Sequence, residues 1–242
     1  SRDTLMSAPD LIKLFRDEGI TTVTLPPSLL KVLPNEGLDK LETIISAGEA
    51  CTKDIAKRWA RGRRLLNAYG PTEATIGVTS YLVERIPAEC TTIPIGKPIH
   101  NVQLYILDKN MNPVPRGVRG ELYIGGVGLA RGYHNRPDLT AERFVPDPFA
   151  NKPGARLYRT GDLTRFLPDG NIEFLGRIDH QVKIRGFRIE VEEIESHLAK
   201  HPAVENVIVL ARQDNSGENR LVAYITKDHK PVPENSEIRE FL

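Results

Sequence analysis

Cysteine is scarce in this sequence, which has only Cys51 and Cys90 among its 242 residues. Two cysteines do not make a disulfide framework, and the absence of a Cys-x-x-Cys pair argues against a structural zinc site. Few cysteines suit a reducing compartment, so we expect a cytoplasmic location.

An excess of charge and a long apolar run are also missing. The 33 Lys and Arg residues balance 32 Asp and Glu residues, giving a net charge of +1. This balance gives no reason to expect nucleic acid or an anionic membrane as a partner. The longest apolar run, around residues 207–211, suits a buried strand and not a membrane span. No secretory signal peptide is visible at the start of the chain.

The two ends of the chain indicate a fragment of a longer protein. The first residue is Ser1 rather than Met, and Leu242 falls within a predicted helix. The length is enough for one large domain or two small ones.

Helix and strand patterns alternate between residues 1 and 80. Ser7 and Thr52 are typical N-caps of two helices, and β-branched or apolar runs follow each of them. This alternation predicts part of an α/β layer with a mostly parallel sheet.

The remaining sequence predicts two further structural types. Short strand-like runs dominate residues 81–178, which predicts a β-rich, distorted barrel. A strand over 182–189, a helix over 191–200 and a hairpin over 204–226 predict a small α+β module in residues 179–242. The expected fold class is therefore α/β and α+β: a partial α/β sheet layer, a β-rich barrel and a truncated α+β module.

One polar motif, Asn67-Ala-Tyr-Gly-Pro-Thr-Glu73, follows directly after a short apolar run. Ligands of open α/β sheets bind at the carboxyl ends of strands, where this motif would lie. The Thr72 hydroxyl can donate to a phosphate oxygen, the Glu73 carboxylate suits Mg²⁺, and the Tyr69 ring offers a flat face for a base. Taken alone, the motif is more typical of a polar turn that buries a tyrosine than of a ligand site.

Five further motifs follow in a fixed order along the chain. They are Ile95-Gly-Lys-Pro98, Gly120-Glu-Leu-Tyr-Ile-Gly-Gly126, Ala130-Arg-Gly-Tyr133, Tyr158-Arg-Thr-Gly-Asp-Leu163 and Gly176-Arg-Ile-Asp-His-Gln-Val-Lys-Ile-Arg-Gly186. Together with the motif at 67–73, they resemble the core motifs of adenylation domains in nonribosomal peptide synthetases. These domains belong to the adenylate-forming superfamily of acyl-CoA synthetases and luciferases. The resemblance runs from about Thr22 to the end of the chain.

The resemblance implies a domain organisation. Residues 1–80 would be part of the α/β core of a large N-terminal subdomain, and residues 81–178 its β-rich, barrel-like part. Residues 179–242 would be a hinge and a truncated C-terminal lid subdomain.

The resemblance also implies a nucleotide site. It places Ala68 and Tyr69 at the adenine, Thr72 at a phosphate and Glu73 at Mg²⁺. It assigns Asp162 to both ribose hydroxyls, which suits a carboxylate because its two oxygens can face a vicinal diol. A turn-capping role for Asp162 is the structural alternative.

Three further positions match functional residues of the family. Arg177 matches a cation near the ribose and phosphates, with a surface salt bridge as the alternative. Asp179 matches the hinge between the two subdomains. Lys183 matches a catalytic lysine that faces the site during thioester formation; in isolation it is typical of a solvated strand residue.

Part of an amino acid pocket also follows from the resemblance. The matching positions are small or apolar, so the pocket would be roomy and uncharged and would suit a large apolar or aromatic amino acid. Several of these residues could instead simply pack the core. The positions are Thr24, Ile45, Ala47, Ala68, Ile76 and Gly77.

The implied activity is ATP-dependent formation of an aminoacyl-AMP, followed by transfer to a phosphopantetheine thiol on a peptidyl carrier domain. ATP and Mg²⁺ are the implied cofactors, and antibiotic biosynthesis in bacterial secondary metabolism is the implied setting.

The sequence does not contain the family's phosphate loop. It also lacks one further lysine and one aspartate that are functional residues in the family. The missing remainder of the adenylation domain is therefore an expected partner, and residues 1–242 alone are expected to be inactive. The alternatives are an acyl or aryl acid:CoA ligase and a non-catalytic binding fragment.

Overall fold

The computed structural model describes residues 7–88, 90–179, 181–184, 186–213, 219–226 and 234–242. The chain divides into two compact units, Ser1–Ile178 and Asp179–Leu242. Two positions of the last motif, His180 and Arg185, lie outside the described residues.

The first unit begins with a five-stranded mixed sheet in the order β1-β2-β3-β4-β5. Strands β1 to β3 are parallel, as the alternation of helix and strand predicts. Strand β4 is antiparallel to β3 because a short turn joins the two, whereas a parallel neighbour needs a long crossover connection. The elements are α1 (Ala8–Asp17), β1 (Thr22–Leu25), α2 (Pro27–Val32), β2 (Thr43–Ser46), α3 (Lys53–Trp59), β3 (Arg64–Tyr69), β4 (Thr79–Leu82) and β5 (Lys97–Pro98).

Local sequence signals explain the helices of this layer. The Ser7 hydroxyl accepts from the Asp10 backbone N–H, and the Thr52 hydroxyl accepts from the Ile55 backbone N–H. Helix α2 begins at Pro27, a residue that suits the first helical position because it lacks an N–H. The fully buried Trp59 packs in the core of this layer, and its indole N–H donates to the Leu30 carbonyl at 2.8 Å.

A second, antiparallel sheet completes the first unit. Its order is β10-β9-β7-β6, with β8 paired to β9, and it curls into a half-barrel. This sheet confirms the β-rich, barrel-like part of the expected fold class. The elements are β6 (Val102–Leu107), β7 (Gly120–Gly126), α4 (Pro137–Arg143), β8 (Phe144–Pro146), β9 (Arg156–Phe166) and β10 (Ile172–Arg177).

The second unit is a small α+β module. Val191 and Leu198 of its first helix pack against Val209 of a two-stranded sheet. The expected single strand over 182–189 is wrong: two three-residue strands form a hairpin, because the chain reverses at Gly186 with a φ of +79°. The elements are β11 (Val182–Ile184), β12 (Phe187–Ile189), α5 (Val191–Leu198), β13 (Asn206–Gln213), β14 (Asn219–Thr226) and α6 (Asn235–Phe241). Across the described part of both units, every helix is too short or too polar to cross a membrane.

Candidate functional site

The first motif begins on the last three residues of β3 and continues into a tight turn at the carboxyl end of that strand. Residues Thr72–Ala74 form one turn of 3₁₀ helix, and the Val78 backbone N–H donates to the Tyr69 carbonyl at 2.8 Å. Thr75 and Ile76 have φ angles of +59° and +70°, which is unusual for β-branched residues. The backbone therefore holds this turn in a strained conformation, a feature that clusters at functional sites.

Three predicted nucleotide residues meet at Asp162, within β9. The Asp162 carboxylate accepts one hydrogen bond from the Tyr69 hydroxyl and another, at 2.6 Å, from the Arg177 guanidinium. Arg177 is the register partner of Asp162 in β10 and also donates to the Thr160 carbonyl at 3.0 Å. The Arg177 and Asp162 side chains are only 10% and 5% exposed. Arg177 is therefore a buried partner of Asp162 and does not form the surface salt bridge considered as its alternative.

Burial controls the protonation of Tyr69. Its ring packs in the core of the half-barrel, and burial raises the pKa of its hydroxyl well above the ordinary value. The negative charge of Asp162 raises that pKa further. Tyr69 is therefore a neutral hydrogen-bond donor over the physiological pH range.

Glu73 is a buried carboxylate beside the same turn. Its Oε1 accepts from the Tyr133 hydroxyl at 2.8 Å, and its backbone carbonyl accepts from the Ala130 N–H at 2.8 Å. Burial and the hydrogen bonds with Tyr158 and Glu73 raise the pKa of Tyr133. The described residues contain no cluster of three or more His, Cys, Asp or Glu side chains that could hold a metal ion without other ligands.

The predicted pocket residues occupy one face of the first sheet and the turn. Thr24 pairs with Ile45 in register, and Ala68 lies on the same face of β3. This face lies opposite the one whose residues Ile44 and Leu65 form the core of the layer. Ala47 directly follows β2, Ile76 is 78% exposed, and Gly77 is half-buried. Thr72, the predicted phosphate contact, is exposed at the start of the 3₁₀ turn.

Two predicted residues belong to the second unit. The side-chain Oδ1 of Asp179, at the beginning of that unit, accepts from the Gln181 backbone N–H at 3.3 Å. Lys183 lies on β11 opposite Arg188 of β12, and its side chain is half-buried.

Three motif residues to which the sequence analysis assigned no role contact the site or the strands that hold it. They are Glu121, Tyr133 and Thr160. Tyr133 binds Glu73, and the Thr160 hydroxyl accepts from the Asp162 backbone N–H at 2.9 Å. Glu121 is a carboxylate in an otherwise apolar strand, and it is buried. A buried carboxylate needs hydrogen-bond partners. The position of Glu121 within an apolar run was therefore the feature of the sequence that could have identified it as a functional or supporting residue.

Comparison with known proteins gives a family match over more than half of the chain. The family of AMP-binding enzymes matches residues 1–134. Bacitracin synthase 3 of Bacillus licheniformis is 50% identical over 241 residues, which is 100% of this chain and 4% of that protein. The chain therefore spans a small part of the length of this curated relative.

Two solved structures have the same fold. An artificially fused adenylation–PCP di-domain, NpsA-ThdA of Klebsiella oxytoca, is 26% identical with a TM-score of 0.82, over 97% of this chain and 44% of that chain. The Vibrio cholerae adenylation domain AlmE, solved with glycyl-adenosine-5′-phosphate, is 29% identical with a TM-score of 0.77, over 89% and 42%. These matches confirm the resemblance that the motifs indicate.

Proposed function

The chain belongs to the AMP-binding enzyme family, and on that premise we propose that the whole protein activates an amino acid for nonribosomal peptide synthesis. In the first step, an oxygen of the amino acid carboxylate bonds to the α-phosphorus of ATP, and pyrophosphate leaves with the electrons of the broken P–O bond. In the second step, the phosphopantetheine thiol of a carrier domain loses its proton to solvent and its sulfur bonds to the acyl carbon, while AMP leaves with the electrons of the broken acyl C–O bond. The proposed location of this reaction is the cytoplasm.

The convergence of three separate motifs supports this proposal most strongly. Tyr69 and Asp162 lie 93 positions apart, and Arg177 lies 15 positions beyond Asp162, yet their side chains share hydrogen bonds. Each of them was assigned to the nucleotide from its own motif. If the motifs matched the family only by chance, these three side chains would not be expected to contact one another.

Asp162 is the proposed ribose ligand. Its two oxygens accept from the Tyr69 hydroxyl and from the Arg177 guanidinium. The two oxygens of a carboxylate can also face the two hydroxyls of a vicinal diol, which suits Asp162 to the ribose. Ala68 and Tyr69 would contact the adenine, and Arg177 would place a positive charge near the ribose and phosphates.

Thr72 and Glu73 are the proposed groups at the phosphates. The exposed Thr72 hydroxyl can donate to a phosphate oxygen. Proteins commonly hold Mg²⁺ with one or two carboxylates together with substrate phosphates and water, so the single Glu73 carboxylate fits this ion. When bound, Mg²⁺ would neutralise charge on the phosphates. Tyr133 would orient Glu73 through the hydrogen bond to Oε1.

The proposed amino acid substrate is large and apolar or aromatic. Three uncharged residues lie on the face of the first sheet that is opposite its hydrophobic core. They are Thr24, Ile45 and Ala68. A surface of this kind favours an apolar side chain. Ala47, Ile76 and Gly77 would complete this part of the pocket.

Lys183 and Asp179 are the proposed residues of the second step. The two compact units divide between Ile178 and Asp179, which supports a hinge at this position. Rotation about a few residues at such a boundary is a common way for one site to serve two reactions. Lys183 would then act in thioester formation. The adenylation–PCP di-domain among the similar structures supports a peptidyl carrier partner.

A panel of amino acids in ATP–pyrophosphate exchange tests the proposal. The assay requires a complete adenylation domain that contains this chain, because the chain spans 44% of a solved relative. Exchange that depends on one or a few apolar or aromatic amino acids is expected. Exchange that depends on fatty or aryl acids would instead support a CoA ligase.

A further inference from the structure

Glu121 is a buried acidic side chain that the reaction as described does not use. Only 10% of its side chain is exposed, yet it makes four hydrogen bonds. Its Oε1 accepts from the Arg159 side chain at 3.0 Å and from the Gly161 backbone N–H at 3.0 Å. Its Oε2 accepts from Arg159 at 3.1 Å and from the Tyr123 hydroxyl at 3.4 Å. A charge buried this deeply requires such partners.

The bond from Gly161 lies at an irregularity in the pairing of β7 with β9. Glu121 pairs with Leu163 and Tyr123 pairs with Arg159, so Leu122 alone faces residues 160–162. Two extra residues of β9 therefore form a bulge, and Gly161 within it has a φ of +74°. Bulges leave backbone groups without their regular strand partners and redirect side chains.

Side chains supply the partners that the bulge removes. The Gly161 N–H donates to the Glu121 carboxylate, and the Asp162 N–H donates to the Thr160 hydroxyl. The Thr160 hydroxyl in turn donates to the Leu122 carbonyl at 2.7 Å. The backbone on both sides of the Gly161–Asp162 peptide is therefore held by hydrogen bonds to β7 or within the bulge. These contacts hold the backbone from which the Asp162 side chain leaves β9, while Tyr69 and Arg177 bind its carboxylate.

We propose that Glu121 is a positioning residue that sets the Asp162 carboxylate for the ribose hydroxyls of ATP by holding the Gly161 N–H. This inference rests on the proposed function, because it requires Asp162 to contact the ribose. Glu121 acts through the backbone and does not touch the nucleotide. The reach of its carboxylate to Gly161 matters more for this role than its charge opposite Arg159.

The same sheet contains a matched control. Glu173 on β10 is fully buried, accepts from the Arg165 side chain at 2.7 Å and accepts from the Thr91 backbone N–H at 3.0 Å. It has the same kinds of partners as Glu121, an arginine and a backbone amide, but neither partner lies in the bulge. Its substitution should lower stability without moving Asp162.

The test measures discrimination between ATP and 2′-deoxy-ATP, as the ratio of their kcat/KM values in pyrophosphate exchange by the complete adenylation domain. Glu121→Asp keeps the charge but shortens the reach to Gly161, so this ratio should fall about tenfold, the effect of losing about one hydrogen bond between a charged group and the 2′-hydroxyl. Glu121→Gln loses the charge but keeps an oxygen within reach, so it should retain most of the discrimination. Glu173→Asp should leave the ratio unchanged. All three substitutions are small, and thermal unfolding confirms that each variant is folded at the assay temperature.

Two results would overturn the inference. Discrimination that is equal in Glu121→Asp and the wild type shows that Asp162 does not depend on this contact. An equal loss in Glu121→Asp and Glu173→Asp shows a general effect of shortening a buried carboxylate that pairs with an arginine.

Asp162→Ala separates failure of the inference from failure of the proposed site. If Asp162→Ala abolishes discrimination and Glu121→Asp does not, only the positioning role fails. If Asp162→Ala leaves discrimination unchanged, the ribose assignment fails and the positioning role fails with it.

Discussion

The hydroxyl of Tyr69 donates a hydrogen bond to the carboxylate of Asp162, although the two residues lie 93 positions apart in the chain. Tyr69 ends β3 of the first sheet, and Asp162 lies on β9 of the half-barrel. This hydrogen bond therefore joins the two sheets of the first unit at the residues proposed to contact adenine and ribose.

Replacement of Asp162 by Ala should weaken ATP binding by a complete adenylation domain. One hydrogen bond to a charged group contributes roughly 1.5–3 kcal/mol, and two ribose hydroxyls are proposed to bind this carboxylate. Calorimetric titration with ATP measures the effect. Loss of Asp162 leaves Arg177 buried without this partner, at a cost of about 3–5 kcal/mol in stability. The titration is therefore made below the measured unfolding temperature, and unchanged ATP affinity in the folded variant would contradict the assignment.

Replacement of Tyr69 by Phe should change how stability depends on alkaline pH. The pKa of Tyr69 is raised in the folded state, so its stabilising effect is complete below the unfolded value of about 10 and is lost as pH rises through the folded value. The free energy of unfolding, measured with urea, should decrease less between about pH 8 and about pH 10.5 in Tyr69→Phe than in the wild type. Tyr133 also has a raised pKa, so part of the alkaline loss should persist. Equal pH dependence in the two proteins would show that Tyr69 does not contribute.

Local patterns in the sequence predict much of this fold. Ser7 and Thr52 cap helices as their positions indicate, because an N-cap depends only on the three residues that follow. Strand β3 covers Arg64–Tyr69 and contains the short apolar run that precedes the motif at 67–73 in the sequence. Caps and short apolar strands are determined by neighbouring residues, so sequence alone identifies them.

Contacts between distant segments could not be predicted in the same way. The meeting of Tyr69 and Asp162 depends on how two sheets pack, and the Gly161 bulge depends on the register of β7 with β9. Neither packing nor register follows from a local pattern. The strand predicted over 182–189 is wrong for a related reason: apolar and polar residues alternate on both sides of Gly186, although the phase shifts by one position there, and the pairing of Ile184 with Phe187 defines the hairpin.

Replacement of Lys183 by Ala should separate the two half-reactions. Pyrophosphate exchange should change little, while loading of the carrier thiol should fall about 10²-fold, the effect of removing one well-placed charged or donor group. Arg188→Ala is the matched control, because Arg188 is the cation opposite Lys183 on the paired strand. Mass spectrometry of the carrier domain measures loading. A similar loss in both variants would indicate a general effect of positive charge on this hairpin.

Replacement of Asp179 by Pro should also impair the second half-reaction more than the first. Proline fixes φ near −65° and would restrict rotation at the residue where the two compact units divide. Single-turnover rates of adenylate formation and of thioester formation provide the comparison. An equal decrease in both rates would argue against a hinge at Asp179.

The identity of the first product tests the central claim most directly. A complete adenylation domain containing this chain is incubated with ATP, Mg²⁺ and its preferred amino acid in the absence of a carrier domain, and the products are identified by mass spectrometry. The proposed function predicts aminoacyl-AMP and pyrophosphate in equal amounts, with both products reduced in Asp162→Ala. Formation of ADP and phosphate, or an adenylate that forms only from fatty or aryl acids, would contradict amino acid activation by this protein.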